Sequence, residues 1–128
     1  MHTRLVLVLV ALDQLVAVLV LKNAPNWAHS QRFFTLFPAP IALALAGLFL
    51  GLLWIFLPRY QPILQIIAAG WISNLITWIW HHSFIDYVPT VISYINIADI
   101  AVLYGVVILS IRLLKSDKYD IVQPDKSC

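Results

Sequence analysis

Residues 62–80, PILQIIAAGWISNLITWIW, run the length of a membrane crossing without one formal charge, and about 20 apolar residues in helical form span the hydrocarbon core of a bilayer. Three further stretches are of similar length and apolarity, though Asp13 interrupts the first and Asp99 and Arg112 fall in the last: 5–21, 38–57 and 95–114. The pattern predicts four transmembrane helices. Backbone N–H and C=O groups cannot stay unpaired in lipid, so only helices and closed barrels cross it, and these runs lack the polar alternation of barrel strands. The breaks carry turn chemistry: Asn23-Ala24-Pro25-Asn26 after the first run, Pro58-Arg59-Tyr60-Gln61-Pro62 between the second and third, and Asp86-Tyr87-Val88-Pro89-Thr90 before the fourth. With such short connections and no internal repeat, residues 1–128 are expected to form one domain. Its fold class is all-α: a four-helix transmembrane bundle with two short outer loops and a polar tail over 115–128.

Composition agrees. The chain has 128 residues, 62% hydrophobic and 11% charged, with a mean hydropathy of +0.89, too little polar surface to clothe a water-soluble globule of this size. Eight Lys and Arg against six acids leave +2, and the scattered basic residues form no stripe suited to phosphates, so no nucleic-acid partner is expected. All six acids are Asp, which excludes the zinc-protease H-E-x-x-H motif, and a single cysteine, Cys128, permits no internal disulfide. The first run resembles a signal peptide in having Arg4 before an apolar core. Asp13-Gln14 interrupts that core and a small-residue cleavage site is missing, so it is read as a retained span.

An even number of spans puts both termini on one side. Arg4, Arg59, Arg112, Lys115, Lys118 and Lys126 fall on that side, against Lys22 and Arg32 on the other, so the termini are expected in the cytoplasm. Loops 22–37 and 81–94 then face outward. Trp27, Trp78, Trp80, Tyr87 and Tyr94 are expected to anchor the outer interface.

An Asp at the centre of a membrane helix costs roughly 2.5–3.5 kcal/mol on insertion scales, so acids in so apolar a chain ask for a reason. Asp13 lies in the middle of the first span, Asp86 in the loop after the third, and Asp99 about one turn into the fourth. Asp117, Asp120 and Asp125 read as solvated tail charge. Asn96 and Asp99, three residues apart, are expected to stack on one helical face that continues inward through Leu103 and Val106. Asn74 shares a face with Trp71 and Trp78 and is within reach of polar groups near Asp99. Asp86 and Asp99 would then converge at the outer mouth of the bundle. Two carboxyls sharing a site cannot easily both ionise, so the pair would hold one proton between them. Such a pair can hydrolyse an amide: one carboxylate takes a proton from water while its protonated partner polarises the carbonyl.

Residue by residue, other readings stand beside this one. Asp13 reads best as a packing residue, hydrogen-bonded to Gln14 or to a polar group of another span. The opposing reading makes the chain a non-enzymatic membrane bundle, with Asp13 as a proton relay of a small transporter. His81-His82 with Asp86 gives no convincing ligand set, because adjacent histidines diverge on a helix and no Glu completes it, so no metal or other cofactor is expected. There is neither a Gly-x-Ser-x-Gly elbow nor a Gly-x-Gly-Asp pattern. Trp71, Trp78 and Trp80 read as belt and packing residues.

Taken together, Asp13-Gln14, Gly70-x-x-Ser73-Asn74, Phe84-Ile85-Asp86-Tyr87 and Asn96-Ile97-Ala98-Asp99 resemble the lipoprotein signal peptidase family, signal peptidase II, most densely over 70–109. The resemblance implies an aspartyl endopeptidase of the bacterial cytoplasmic membrane, without a metal, whose site faces the outer leaflet. Its partners would be membrane lipids and the prolipoprotein signal peptide with its lipidated cysteine, cut just before the diacylglyceryl cysteine. It implies Asp86 and Asp99 as catalytic, Asn74 and Asn96 as ordering the site and the substrate backbone, and Asp13 and Gln14 as holding helices together around it. A catalytically silent relative that only binds such precursors is the other member of this reading. Where the family continues its third-span box with an Asp-Arg pair, this chain has Thr77-Trp78.

Overall fold

Proline sets the start of two of the helices. With no N–H to lose and φ already near the helical value, it suits the first turn, and Pro40 and Pro62 stand there in α2 (Ala39–Phe56) and α3 (Gln61–His81). With α1 (His2–Asn23) and α4 (Ile97–Asp120), four helices are long and apolar enough to cross a membrane. The computed structural model of the chain describes residues 2–25, 38–91 and 94–120, with side chains over 4–25, 38–91 and 94–116. Trp27 and Arg32 of the first outer loop lie outside the described residues, as do Asp125, Lys126, Cys128 and the side chains of Asp117, Lys118 and Asp120.

α3 is the central helix, packed against each of the other three. Its buried residues Ile63, Leu64 and Ile67 join Leu50 of α2, Leu109 of α4 and Tyr60 in the main core, while Ala17, Ile85 and Tyr87 form a smaller cluster under α1. A 3-10 turn, Pro58–Tyr60, joins α2 to α3 and ties them at that end. Elsewhere the outward faces are apolar: Leu7, Leu48, Phe56, Leu103 and Leu114 are all exposed, a surface suited to lipid.

α3 and α4 cross on glycine. A methyl group on Gly70 would overlap the Ala98 carbonyl oxygen and Val102, and one on Gly105 would overlap Ile67. In lipid, helices associate by such close packing of small residues rather than by hydrophobicity. This corrects the expected inner face of α4. Ala98, Ala101, Gly105 and Leu109 are buried, whereas Leu103 is 64% exposed and Val106 45%.

α3 ends at His82, which adopts a left-handed φ of 52° and donates its N–H to the Trp78 carbonyl at 2.8 Å. The αL position, usually left to Gly or Asn, is held here with the His82 ring against the Trp78 edge, centroids 5.9 Å apart. The connection to α4 contains an antiparallel pair, β1 (Val88–Pro89) and β2 (Tyr94–Ile95), with Val88 opposite Ile95 and Pro89 opposite Tyr94. Because Ile95 belongs to this ladder, α4 starts at Ile97 and not at 95. It continues past 114 to Asp120 because no Pro or Gly intervenes.

Candidate active site

The Asn96-Ile97-Ala98-Asp99 segment is a capping box. Asn96 Oδ1 accepts the Asp99 N–H at 2.8 Å and the Asn96 N–H donates to Asp99 Oδ2 at 3.3 Å, the reciprocal pattern that satisfies two orphan donors at a helix start. Asn96 is thus the residue before the helix and not, as its spacing from Asp99 suggests, a member of the same helical face. Two more of the first amides of α4 are capped from elsewhere. The Ile97 N–H donates to the Tyr87 hydroxyl at 3.3 Å and the Ala98 N–H to Asp13 Oδ1 at 3.2 Å. Since these amides carry the positive end of the helix dipole, the first turn of α4 is fixed by α1, by the preceding loop and by its own box at once. Asp99 is held with it.

Asn96 also links the two acids. Its Nδ2 donates to Asp86 Oδ1 at 3.1 Å and to Asn74 Oδ1 at 3.0 Å, and Asn74 Nδ2 donates to Asp99 Oδ1 at 2.9 Å. Asp86, Asn96, Asn74 and Asp99 therefore form one chain of hydrogen bonds closed by the capping box. Asp86 is only 4% exposed and Asn96 2%, so the acid expected in a loop is a buried group. Burial, and after it the Asp99 charge, pushes the Asp86 carboxyl up to about 7; the Asn96 hydrogen bond pulls the other way and the Asp13 charge adds a smaller upward push. Below that pH Asp86 holds a proton, as burial beside a like charge favours.

Asp13 completes a second layer. Ser73 Oγ donates to its Oδ2 at 2.6 Å and the Tyr87 hydroxyl to its Oδ1 at 2.7 Å, besides the Ala98 amide. Of the two expected kinds of partner, a polar group of another span is the one found, Ser73 of α3, because Gln14 itself turns to α3. Gln14 Nε2 donates to the Ser73 carbonyl at 3.1 Å and to Ser73 Oγ and Thr77 Oγ1, both at 2.9 Å. Tyr87, expected at the membrane interface, is 8% exposed; burial and then its bond to Asp13 raise its phenol well above the usual range. Ser73 and Tyr87, which stand in the quoted motifs without a role of their own, and Thr77 join the site, and only the fold turns their side chains onto Asp13 and Gln14.

Asp86, Asp99 and Asn74 open onto a cleft of about 1290 Å³ that runs along α3 between α2 and α4. Leu50 and Phe49 line one side, Val102 and Leu109 the other, and Trp71, Asn74 and Trp78 lie along α3 between them. An apolar trough with two carboxyls and the Asn74 amide at one end suits an extended or helical apolar chain whose polar backbone is exposed at that end. His81 and His82 are exposed, and among the described residues no group of three His, Cys or acidic residues could hold a metal ion.

The family model for signal peptidase (SPase) II matches residues 25–115. The chain belongs to the signal peptidase II family. It is a multi-pass membrane aspartyl endopeptidase of that family, and the network around its aspartates fits that chemistry. A solved structure described as "Bacterial membrane enzyme structure by the in meso method at 2.3 A resolution" matches with a TM-score of 0.76 at 18% identity, over 98% of this chain and 94% of that one. That likeness concerns the fold. No curated protein matches.

Proposed function

We infer that Asp86 and Asp99 are the catalytic pair of a peptidase that removes signal peptides from lipid-modified bacterial prolipoproteins, cutting before the diacylglyceryl cysteine. The observation that carries the reading is the Asp86–Asn96–Asn74–Asp99 chain of hydrogen bonds facing an apolar cleft. The ionised member of the pair takes a proton from water as the water oxygen bonds to the scissile carbonyl carbon. Its protonated partner gives a proton to the carbonyl oxygen. Collapse of the tetrahedral intermediate returns a proton to the amide nitrogen, breaks the C–N bond, and leaves a carboxyl on the signal peptide and a free amine on the lipidated cysteine. Asn96 orders the pair, and Asn74, which faces the cleft, both orders it and offers its amide to the substrate backbone.

The excess of basic residues on one side supports both termini in the cytoplasm, an active site toward the outer leaflet, and residence in the bacterial inner membrane. The transporter reading loses its support, because both oxygens of Asp13 are engaged by Ser73, Tyr87 and Ala98 in a structural cap.

Incubating purified protein with a diacylglyceryl-modified precursor tests the assignment. The shortened product is expected from the natural chain and from neither Asp86→Asn nor Asp99→Asn, with both variants still inserted and folded. Full activity in either variant removes the assignment.

A further inference from the structure

Asp13 lies near the middle of α1 and is 2% exposed, and the hydrogen bonds around it fix its charge. The Ala98 N–H can only donate, and does so to Oδ1 at 3.2 Å. The Tyr87 hydroxyl already accepts from the Ile97 amide, so its own proton points at Oδ1, 2.7 Å away. Ser73 Oγ already accepts from Gln14 Nε2, so its proton points at Oδ2 at 2.6 Å. Three donors converge on two oxygens, and a proton on Asp13 would meet a donor on every side. Asp13 is therefore a buried carboxylate, held by neutral donors and by the positive end of α4. The titratable groups around it are Asp86 and Tyr87 from the loop and Asp99 from the first turn of α4. α3 presents the Ser73 hydroxyl, with His81 and His82 exposed at its end, and the cations of α1, Arg4 and Lys22, are exposed at its two ends.

A neutral oxygen would cap the same amides without the cost of a buried charge, so the charge asks for a reason of its own. The start of α4 favours negative charge near it. Asp99 stands in that first turn, and Asp86 is joined to it through Asn96. Unopposed, the helix end would draw the proton off a carboxyl that must keep one to act as general acid. A fixed negative charge on the same turn works the other way: burial and the Asp99 charge are the larger causes that hold the Asp86 carboxyl high, and the Asp13 charge adds to them. Resting on the peptidase reading above, we propose that Asp13 is a positioning residue for the catalytic proton: its fixed charge offsets the α4 dipole and keeps the general acid of the pair protonated at the pH where the enzyme works.

The test is the pH dependence of cleavage of a diacylglyceryl-modified precursor by full-length protein in detergent. Asp13→Asn keeps an oxygen for Tyr87 and Ala98, and its amide can donate to Ser73 Oγ, so the variant lacks the charge and little else. With the charge gone the acid loses its proton more readily. The alkaline fall in kcat is then expected at lower pH, and the ratio of kcat at about pH 6 to kcat at about pH 8 should rise by about threefold or more. Asp13→Glu, which brings the charge back, should return the fall toward its natural place whatever it does to the rate. A fall that stays displaced in Asp13→Glu overturns the proposal. A merely structural role lowers the rate at every pH and leaves the fall where it was; that result, in an Asp13→Asn protein that cleaves, overturns the role of Asp13 and leaves the peptidase standing. If Asp13→Asn does not fold or does not cleave, infrared spectra decide, taken in a detergent without carbonyl groups. In the Asp86→Asn/Asp99→Asn double variant, Asp13 is the last buried acid among the described residues, and no protonated-carboxyl band is expected at about pH 7; such a band overturns the proposal. Absence of cleavage by the natural chain removes the peptidase reading and this role with it.

Discussion

A carboxyl kept from water beside a second carboxyl works against the fold that contains it. Asp86 ordinarily titrates at 3.8, and burial with the Asp99 charge takes it to about 7. Between those values the folded protein keeps a proton that the unfolded chain has released, so the Asp86 contribution to stability is full at low pH and is lost as pH rises toward neutral. Asn does not titrate, and its carbonyl can accept from Asn96 as Asp86 Oδ1 does. Asp86→Asn is therefore expected to unfold at a higher temperature than the natural chain at about pH 8, with the advantage shrinking toward pH 4. Thermal unfolding in detergent across that range checks it, and an advantage equal at both ends would show that the carboxyl is not under this strain. Stability gained by removing a group proposed to be catalytic is the usual trade. These residues were legible in sequence because an acid or amide in an apolar chain demands a partner. Tyr87 was not, since a tyrosine near the end of a span reads equally as a membrane anchor, and only the fold turns its hydroxyl onto Asp13.

At the scale of elements, the start of α4 is where the bundle's precision is concentrated. Tyr87 joins Asp13 to the Ile97 amide, so Tyr87→Phe leaves a part-buried donor without its acceptor and Asp13 Oδ1 with the Ala98 amide alone. A loss of about 1–3 kcal/mol is expected, read as a lower resistance to denaturation at unchanged helix content; stability equal to the natural chain would mean the cap is redundant. The crossing of α3 and α4 adds a second constraint. In Gly70→Ala the new methyl meets the Ala98 carbonyl, which is backbone and cannot rotate away. α4 must shift, carrying Asp99 relative to Asn74, and a displacement near 1 Å costs on the order of 100-fold in rate. kcat should fall far more than folding yield, and a variant with natural kcat would show that the crossing does not set the site. The inner face of α4 was misread for a physical reason. Hydrophobicity chooses the buried face of a helix in water, but in lipid every apolar face is equally at ease, and small residues decide. Ala98, Ala101 and Gly105 carried that information, whereas Leu103 and Val106 carried none.

The whole molecule is asymmetric: α1, α3 and α4 are bound by buried polar bonds, while α2 rests on α3 through Leu43, Leu50 and the Trp71 contact and is tied at its far end by Pro58–Tyr60. Four spans could be counted in the sequence, but the gap between α2 and α4 could not be read there, because α2 has no polar residue to mark its neighbour. On the proposed function, that gap is the route by which an apolar precursor already in the bilayer would reach the carboxyls without leaving lipid. Ala46 of α2 and Leu103 of α4 both line it. With Cys128→Ser removing the native thiol, cysteines at 46 and 103 joined by a reducible bifunctional reagent are expected to abolish cleavage of a membrane precursor, and reduction to restore it. Each single cysteine carrying one half of the reagent serves as the control for bulk alone. Cleavage that persists across a complete link would mean the precursor approaches by another path, since a chain spanning the bilayer cannot pass between two helices that are tied together.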